Sequence, residues 1–151
     1  MRYWLRHVKL TFVWPYNLLS FILQLPEGVF DHQDIKTFLE INNVSHKVTG
    51  DFMIKLYMVR IDLFDLFVLL ITDLLSAINC LNEHPEVVER TYNVYVEHMP
   101  GLQINFNALV KCNDEIILFV LDQMNDDTRV AYADRLRIDA IDTYERIKNR
   151  I

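Results

Sequence analysis

The sequence predicts an all-α protein: a single-domain bundle of about six helices around one long central helix at roughly residues 51–82. The composition supports this fold class, because 52% of the 151 residues are hydrophobic and only 3 are Gly and 4 are Pro. Such a chain is too apolar to be disordered and too poor in turn residues for a many-stranded sandwich. Its length is that of one domain, so we expect residues 1–151 to form a single domain.

The central helix is predicted from the most apolar stretch of the chain, residues 52–81. Of these 30 residues 22 are apolar, and none is Gly or Pro. On a helical wheel the polar side chains fall within an arc of about 120°, which predicts a helix buried on most sides with one wet edge. That edge carries Lys55, Asp62, Asp65, Thr72, Asp73, Ser76 and Asn79.

Arg60 is the exception, because the wheel places it on the side opposite the wet edge. A buried guanidinium without a partner is very costly. We therefore expect Arg60 to form a buried ion pair or to lie where the helix bends. The alternative is that Arg60 binds a carboxylate of a ligand or partner.

The N-terminal segment, residues 1–25, combines a basic head with an apolar run, since residues 10–26 carry no charge. We favour a core or interface helix at residues 16–25, with Pro15 in its first turn. A membrane-facing segment and a secretory signal are the alternatives; the polar residues of the run and the lack of a small-x-small cleavage site argue against them. The side chains expected to anchor this segment or to form an interface are Trp4, Phe12, Trp14, Tyr16 and Phe21.

Four further helices complete the predicted bundle. Asp31 is expected to cap a short helix, with Asp34 favouring its positive end. Pro85 suits the first turn of a two-faced helix at residues 85–99, and a further helix is predicted at 105–124. Asn125, Asp126 and Asp127 are expected to supply a turn and the cap of a last helix at 128–150. The last helix has an apolar arc made of Val130, Ala133, Leu136, Ala140, Ile141, Tyr144, Ile147 and Ile151.

The charge and the cysteines limit the classes of partner and compartment. The net charge is −6, and an acidic chain without a basic patch is a poor candidate for nucleic-acid binding. Cys80 and Cys112 lie in apolar helical patterns, so buried free thiols in a reducing compartment are expected, with a disulfide as the alternative. We therefore predict an intracellular protein of the cytoplasm or nucleus.

No motif in the sequence assigns a family, a cofactor or a catalytic site. The three glycines are far apart, so a glycine-rich phosphate loop is disfavoured. The wet-edge carboxylates are interpreted as solvated, because the dimetal sites of helical bundles use a Glu-x-x-His motif that the sequence lacks. A zinc site is the weaker hypothesis for Cys80, His84, His98 and Cys112, whose first pair has i,i+4 spacing. The favoured interpretation is two core thiols, a helix-end His84 and a core His98 that a neighbour hydrogen-bonds.

These observations favour a non-enzymatic helical module that binds other proteins and self-associates. Its apolar content and its aromatic N-terminal segment exceed what one core is expected to hide, which is typical of an interface. By analogy of architecture alone, a Bcl-2-like groove that binds partner helices is a variant of this hypothesis. Peripheral membrane association through residues 1–25 and a zinc-binding module are competing hypotheses. Frequent Asn, Asp and Ile are typical of an AT-rich coding source such as a large DNA virus, which favours an accessory protein.

Overall fold

The computed structural model describes residues 2–9, 16–42 and 50–151, and this part of the chain is helical without strands. The predicted all-α class is confirmed. Ten α-helices and two short 3-10 helices form within the described residues, where the sequence predicts about six helices.

The chain divides into two compact units, residues 1–100 and 101–151. The first unit contains the 3-10 helix Arg2–His7, α1 (Tyr16–Leu23), α2 (His32–Ile41), α3 (Gly50–Val59), α4 (Ile61–Val68), α5 (Leu74–Cys80) and α6 (Pro85–His98). The second unit contains α7 (Phe106–Leu109), α8 (Asp114–Asp122), α9 (Asp126–Asp139), α10 (Ile141–Ile147) and the 3-10 helix Lys148–Arg150. The expected single domain stays a prediction.

The core of the first unit forms around α4, which packs against α2, α3 and α6. Leu63, Phe64, Phe67 and Val68 of α4 are all buried. The Phe67 ring lies against Phe52 of α3, with 5.3 Å between ring centroids. Burial of four large apolar side chains on an eight-residue helix makes α4 the central element of this unit.

The predicted continuous helix at residues 51–82 is wrong, because α3, α4 and α5 occupy this range. The first break falls at Arg60, whose backbone is not helical (φ −140°, ψ 82°). Its Nη1 donates hydrogen bonds to the carbonyl oxygens of Leu23 and Leu25, at 3.1 and 2.6 Å. The break lets the guanidinium reach carbonyl oxygens at the end of α1. On the apolar face of a continuous helix it would have no such acceptors.

The second break lies between α4 and α5 and ends at Asp73, the N-cap of α5. The Asp73 side chain accepts a hydrogen bond from the backbone N–H of Ser76, at 3.2 Å, and one from the Ser76 hydroxyl, at 2.8 Å. A capping aspartate offers the backbone a local alternative to a continued helix. Asp73 and Ser76, which the wheel places on the wet edge of one continuous helix, therefore form the start of a separate helix.

The N-terminal 3-10 helix docks along α2 rather than standing apart from the unit. Leu5 is completely buried. Arg6 Nε donates a hydrogen bond to the buried carboxylate of Asp34 near the start of α2, and Asn42 Nδ2 donates to the Val8 carbonyl oxygen at its end, at 2.9 Å. Both ends of α2 therefore hold this segment.

Several predicted helix starts are confirmed. Asp31 caps α2, and its side chain and that of Asp34 form a capping box. α6 begins at Pro85. Asn125 caps α9, accepting a hydrogen bond from the Thr128 N–H at 2.8 Å.

The two helices predicted in the second unit are each divided. Asn113 caps α8 by accepting a hydrogen bond from the Glu115 N–H, at 2.9 Å, and so separates α8 from α7. Ala140 has non-helical dihedral angles (φ −142°, ψ 58°) and separates α9 from α10. The predicted apolar arc is buried only in part: Leu136 and Ile147 are buried, whereas Val130 and Ile141 are exposed.

Arginines tie both ends of α8 to the rest of the second unit. At its start, Arg146 binds the Asp114 carboxylate through two hydrogen bonds of 2.9 and 3.1 Å. At its end, Arg129 donates to the carbonyl oxygens of Leu121 and Met124, at 3.2 and 3.1 Å. Anionic groups at a helix start and cationic donors at its end both match the helix dipole.

The hydrogen bonds of Arg60 predict a specific loss of stability in Arg60→Met. This change leaves two carbonyl groups at the end of α1 without their donor, and we expect the free energy of unfolding to fall by about 2–3 kcal/mol. Arg60→Lys keeps the positive charge but loses the forked geometry of the guanidinium. Its free energy of unfolding should therefore lie between those of Arg60→Met and the wild type.

Urea unfolding followed by circular dichroism measures these changes. The matched control is Lys55→Met, which removes an exposed cation of α3. An Arg60→Met protein within about 0.5 kcal/mol of the wild type would contradict a structural role for the guanidinium.

Candidate functional site

The predicted N-terminal interface residues are only partly described. Phe12 and Trp14 lie outside the described residues, as does the side chain of Tyr16, although its backbone begins α1. Trp4 is 37% exposed, and its ring meets Phe30 edge-on at a centroid distance of 5.5 Å. Phe21 stacks on Phe38 at 5.4 Å.

These ring contacts place the two described aromatic residues on the α2 side of the first unit, where they contribute to packing. Whether this segment also forms an interface stays a prediction. Among the residues with described structure, none of the helices has both the length and the apolar character that a membrane span requires.

Arg60 lies at the junction between α3 and α4, with its side chain 11% exposed. Besides the α1 carbonyls, it binds both oxygens of the Asp62 carboxylate, at 3.0 and 2.9 Å. These hydrogen bonds lower the pKa of Asp62 against the opposing effect of its partial burial. They also raise the pKa of Arg60, so both groups stay ionised near neutral pH.

An exposed apolar patch flanks this junction. It consists of Met58, Val59 and Ile61, which we call the junction patch, and Met58 is 75% exposed. The three residues lie on either side of Arg60 in the sequence, so the turn that buries the guanidinium carries them. Large apolar side chains grouped on a surface are typical of contact sites.

One candidate binding site in the first unit is a groove between α4 and α6 with a volume of about 350 Å³, here called the α4–α6 groove. Leu66 and Leu69, about one helical turn apart, form its floor together with Val94. Leu66 and Leu69 are only half-buried, whereas the neighbouring apolar residues 67, 68 and 70 are buried. The rest of its lining is polar: Asp65, Arg90, Asn93, Glu97 and His98.

An ion pair joins the two walls of the α4–α6 groove. Arg90 Nε on α6 donates a hydrogen bond to Asp65 Oδ1 on α4, at 3.0 Å, and Arg90 Nη2 binds the second carboxylate oxygen. This hydrogen bonding raises the pKa of Arg90, although partial burial opposes it. The pair joins the two walls and balances the charge of Asp65 inside the groove.

The α6 wall is acidic. The helix carries three carboxylates, Glu86, Glu89 and Glu97, all exposed, and Arg90 is its one Lys or Arg. Glu86, Arg90 and Glu97 follow one another at i, i+4 and i+11, and so lie along one side of the helix. Because Arg90 is matched by Asp65, the uncompensated charge along this side is negative.

Two smaller clefts border α4 next to the groove. One, of about 220 Å³, lies between Leu66 and the loop that contains Pro26 and Gly28. The other, of about 320 Å³, lies between Leu69 and Lys36 of α2. Each of the two floor leucines therefore lines two depressions.

The proposed zinc ligands do not form a cluster. Within the part of the chain that is described, no three His, Cys, Asp or Glu side chains come together in a way that could hold a metal ion. Cys80, His84 and His98 belong to the first unit and Cys112 to the second. Cys80 is a free thiol, and Cys112 Sγ donates a hydrogen bond to the Ala108 carbonyl oxygen, at 3.6 Å.

Two burial expectations for these residues are wrong. Cys80 is exposed, because it is the last residue of α5, whose buried side is formed by Leu74, Leu75 and Ile78. His98 is exposed at the last position of α6 and lines the α4–α6 groove rather than the core. Cys80 lies about 200° around α5 from the buried Ile78, and so on its outer side, whereas His98 keeps the phase of the buried side of α6 but lies at the exposed end of that helix.

The groove residues Leu66, Leu69 and Glu97 are missed by the sequence patterns, which assign the leucines to the core and Glu97 to a solvated face. The two-faced pattern of α6 gives one usable signal, since it places Glu86 and Glu97 on one exposed side. The pairing of that side with α4 depends on packing and has no local signature.

A comparison with known proteins finds no matching family model, no matching curated protein and no matching solved structure.

The lowered pKa of Asp62 predicts a pH-dependent contribution to stability. A folded pKa below the ordinary value of 3.8 gives stabilisation above that value, which is lost as the pH falls through the folded pKa. Asp62 is 40% exposed, so solvent screening limits the effect of Asp62→Asn near pH 7 to about 0.5–1 kcal/mol.

Urea unfolding at a series of pH values tests this expectation. The difference in unfolding free energy between the wild type and Asp62→Asn should be largest near neutral pH and should vanish in strong acid. Glu40→Gln, which removes an exposed carboxylate of α2, is the control. A difference that stays constant over the whole range would show that the Asp62 charge does not stabilise the fold.

Proposed function

We propose that this protein is a non-enzymatic helical module that binds other proteins, and that the α4–α6 groove is its binding site. One observation carries the proposal: Leu66 and Leu69 line an open groove and are only half-buried, although their neighbours in the sequence, residues 67, 68 and 70, are buried. Apolar side chains that line an open groove between two helices are what a docked helix covers.

The lowered pKa values of two paired carboxylates, one in each unit, support a binding function rather than catalysis. A general acid at neutral pH needs a raised pKa. Asp62 is shifted in the opposite direction by Arg60, and the same holds for Asp114 beside Arg146 in the second unit. These paired carboxylates therefore favour structural roles.

Self-association is the second candidate activity, and the junction patch favours it. Met58, Val59 and Ile61 are large, apolar and exposed, and they are separate from the groove residues. A symmetric dimer needs one self-complementary surface, which a compact apolar patch can supply. We further propose that the protein works inside the cell, in the cytoplasm or nucleus, as an accessory protein of viral type.

Selection of displayed random peptides of about 20 residues, long enough for several helical turns, tests the binding activity directly. We expect enriched sequences with apolar residues at i, i+3 or i+4, and i+7, the pattern of a helix in a groove. These peptides should lose at least about tenfold in affinity for Leu69→Gln. They should bind Met58→Gln, the matched control on the junction patch, as they bind the wild type.

Thermal unfolding of both variants confirms that they are folded under the binding conditions. A selection that enriches no sequence above background would overturn the proposal. Enriched peptides that bind Leu69→Gln and the wild type equally would also overturn the groove as the binding site.

A further inference from the structure

We propose that the α4–α6 groove selects a basic amphipathic helix of a partner protein. In this complex the apolar side of the partner covers Leu66, Leu69 and Val94, and its edge next to α6 carries Lys or Arg. This inference rests on the proposed function, because it names the chemistry of the partner that the groove binds.

The charge of the α6 wall carries the inference. Glu97 lines the groove, Glu86 lies on the same side of α6 one turn before Arg90, and Arg90 itself is already bound to Asp65 of α4. A neutral or acidic helix laid on the leucine floor would leave these carboxylates without a counter-charge. A basic edge supplies one, and complementary charge at an interface sets both specificity and the rate of association.

The spacing of the two carboxylates adds a geometric requirement. Glu86 and Glu97 are 11 residues apart, which is three turns or about 16 Å along α6. A partner helix that runs along the groove meets both carboxylates if its own basic residues are also about three turns apart. Because both carboxylates belong to α6, the helix itself presets their spacing.

A second copy of this chain does not supply such an α-helix within the described residues. None of α1 to α10 contains more Lys and Arg than Asp and Glu; the most arginine-rich, α9, has three arginines and four aspartates. The α-helices of a copy would therefore bring no net positive charge to a negative wall, and the basic 3-10 helices Arg2–His7 and Lys148–Arg150 are only six and three residues long. Anionic lipid is disfavoured for the same reason, since it would be repelled by Glu86 and Glu97.

Three labelled peptides of about 18 residues separate the outcomes, all built on one Leu/Ala apolar face. The first carries two lysines 11 positions apart on the edge of that face. The second has the same composition, with both lysines moved to the outer face. The third carries glutamates on the edge. Fluorescence anisotropy with the full-length protein measures their affinities.

We expect the edge-lysine peptide to bind at least about tenfold more tightly than the outer-lysine peptide. The edge-glutamate peptide should bind most weakly, because its charges face Glu86 and Glu97. The preference should shrink as NaCl is raised from about 0.05 to 0.5 M, since groups at the rim are screened.

Charge reversal on the protein completes the test. Glu97→Lys should remove the preference for the edge-lysine peptide, whereas Glu40→Lys, the same charge change on exposed α2, should keep it. Equal binding of all three peptides, or an unchanged preference in Glu97→Lys, would overturn this inference and leave the proposed binding function standing. Failure of all three peptides, while peptides from the random selection bind, would also overturn this inference alone.

Discussion

The guanidinium of Arg60 sets the arrangement of the first unit, because it brings a permanent charge into the most apolar stretch of the chain. The charge is accommodated by donating to the carbonyl oxygens of Leu23 and Leu25 and by binding Asp62. To reach these groups the helix ends at Val59 and restarts at Ile61. One polar group thus divides a potential long helix, anchors the end of α1, and sets the start of α4, which the neighbouring helices surround.

The second unit contains the same kind of contact between an arginine and the carbonyl oxygens at a helix end. Arg129 binds the carbonyl oxygens at the end of α8, as Arg60 does at the end of α1. The last turns of a helix leave carbonyl groups without partners, and an arginine with several donors satisfies two of them at once. In each unit an arginine therefore joins the end of one helix to another element. Such contacts let short helices pack closely without glycine-rich turns. A consequence in the first unit is that α4 is short enough to leave open clefts on both sides of Leu66 and Leu69.

The sequence predicts the features whose causes are local. The caps at Asp31 and Asn125 and the start of α6 at Pro85 follow from residue type and position. The Asp73–Ser76 cap also has a local signal, since an aspartate three residues before a serine is a helix-start pattern that the apolar periodicity around it obscures. The break at Arg60 is different, because its acceptors lie 35 and 37 residues away in the sequence. The α4–α6 groove likewise depends on which sides of two helices meet, and no periodicity specifies that.

Amide hydrogen exchange across residues 50–81 tests most directly whether Arg60 divides this stretch. Slow exchange is expected within α3 and α4, separated by fast exchange at Ile61, Asp62 and Leu63, whose N–H groups lie in a first turn and have no carbonyl partner inside α4. A second fast segment is expected at Thr72 and Asp73, before α5. Uninterrupted protection from Phe52 to Leu81 would show a continuous helix and contradict both the role of Arg60 and the groove that depends on it.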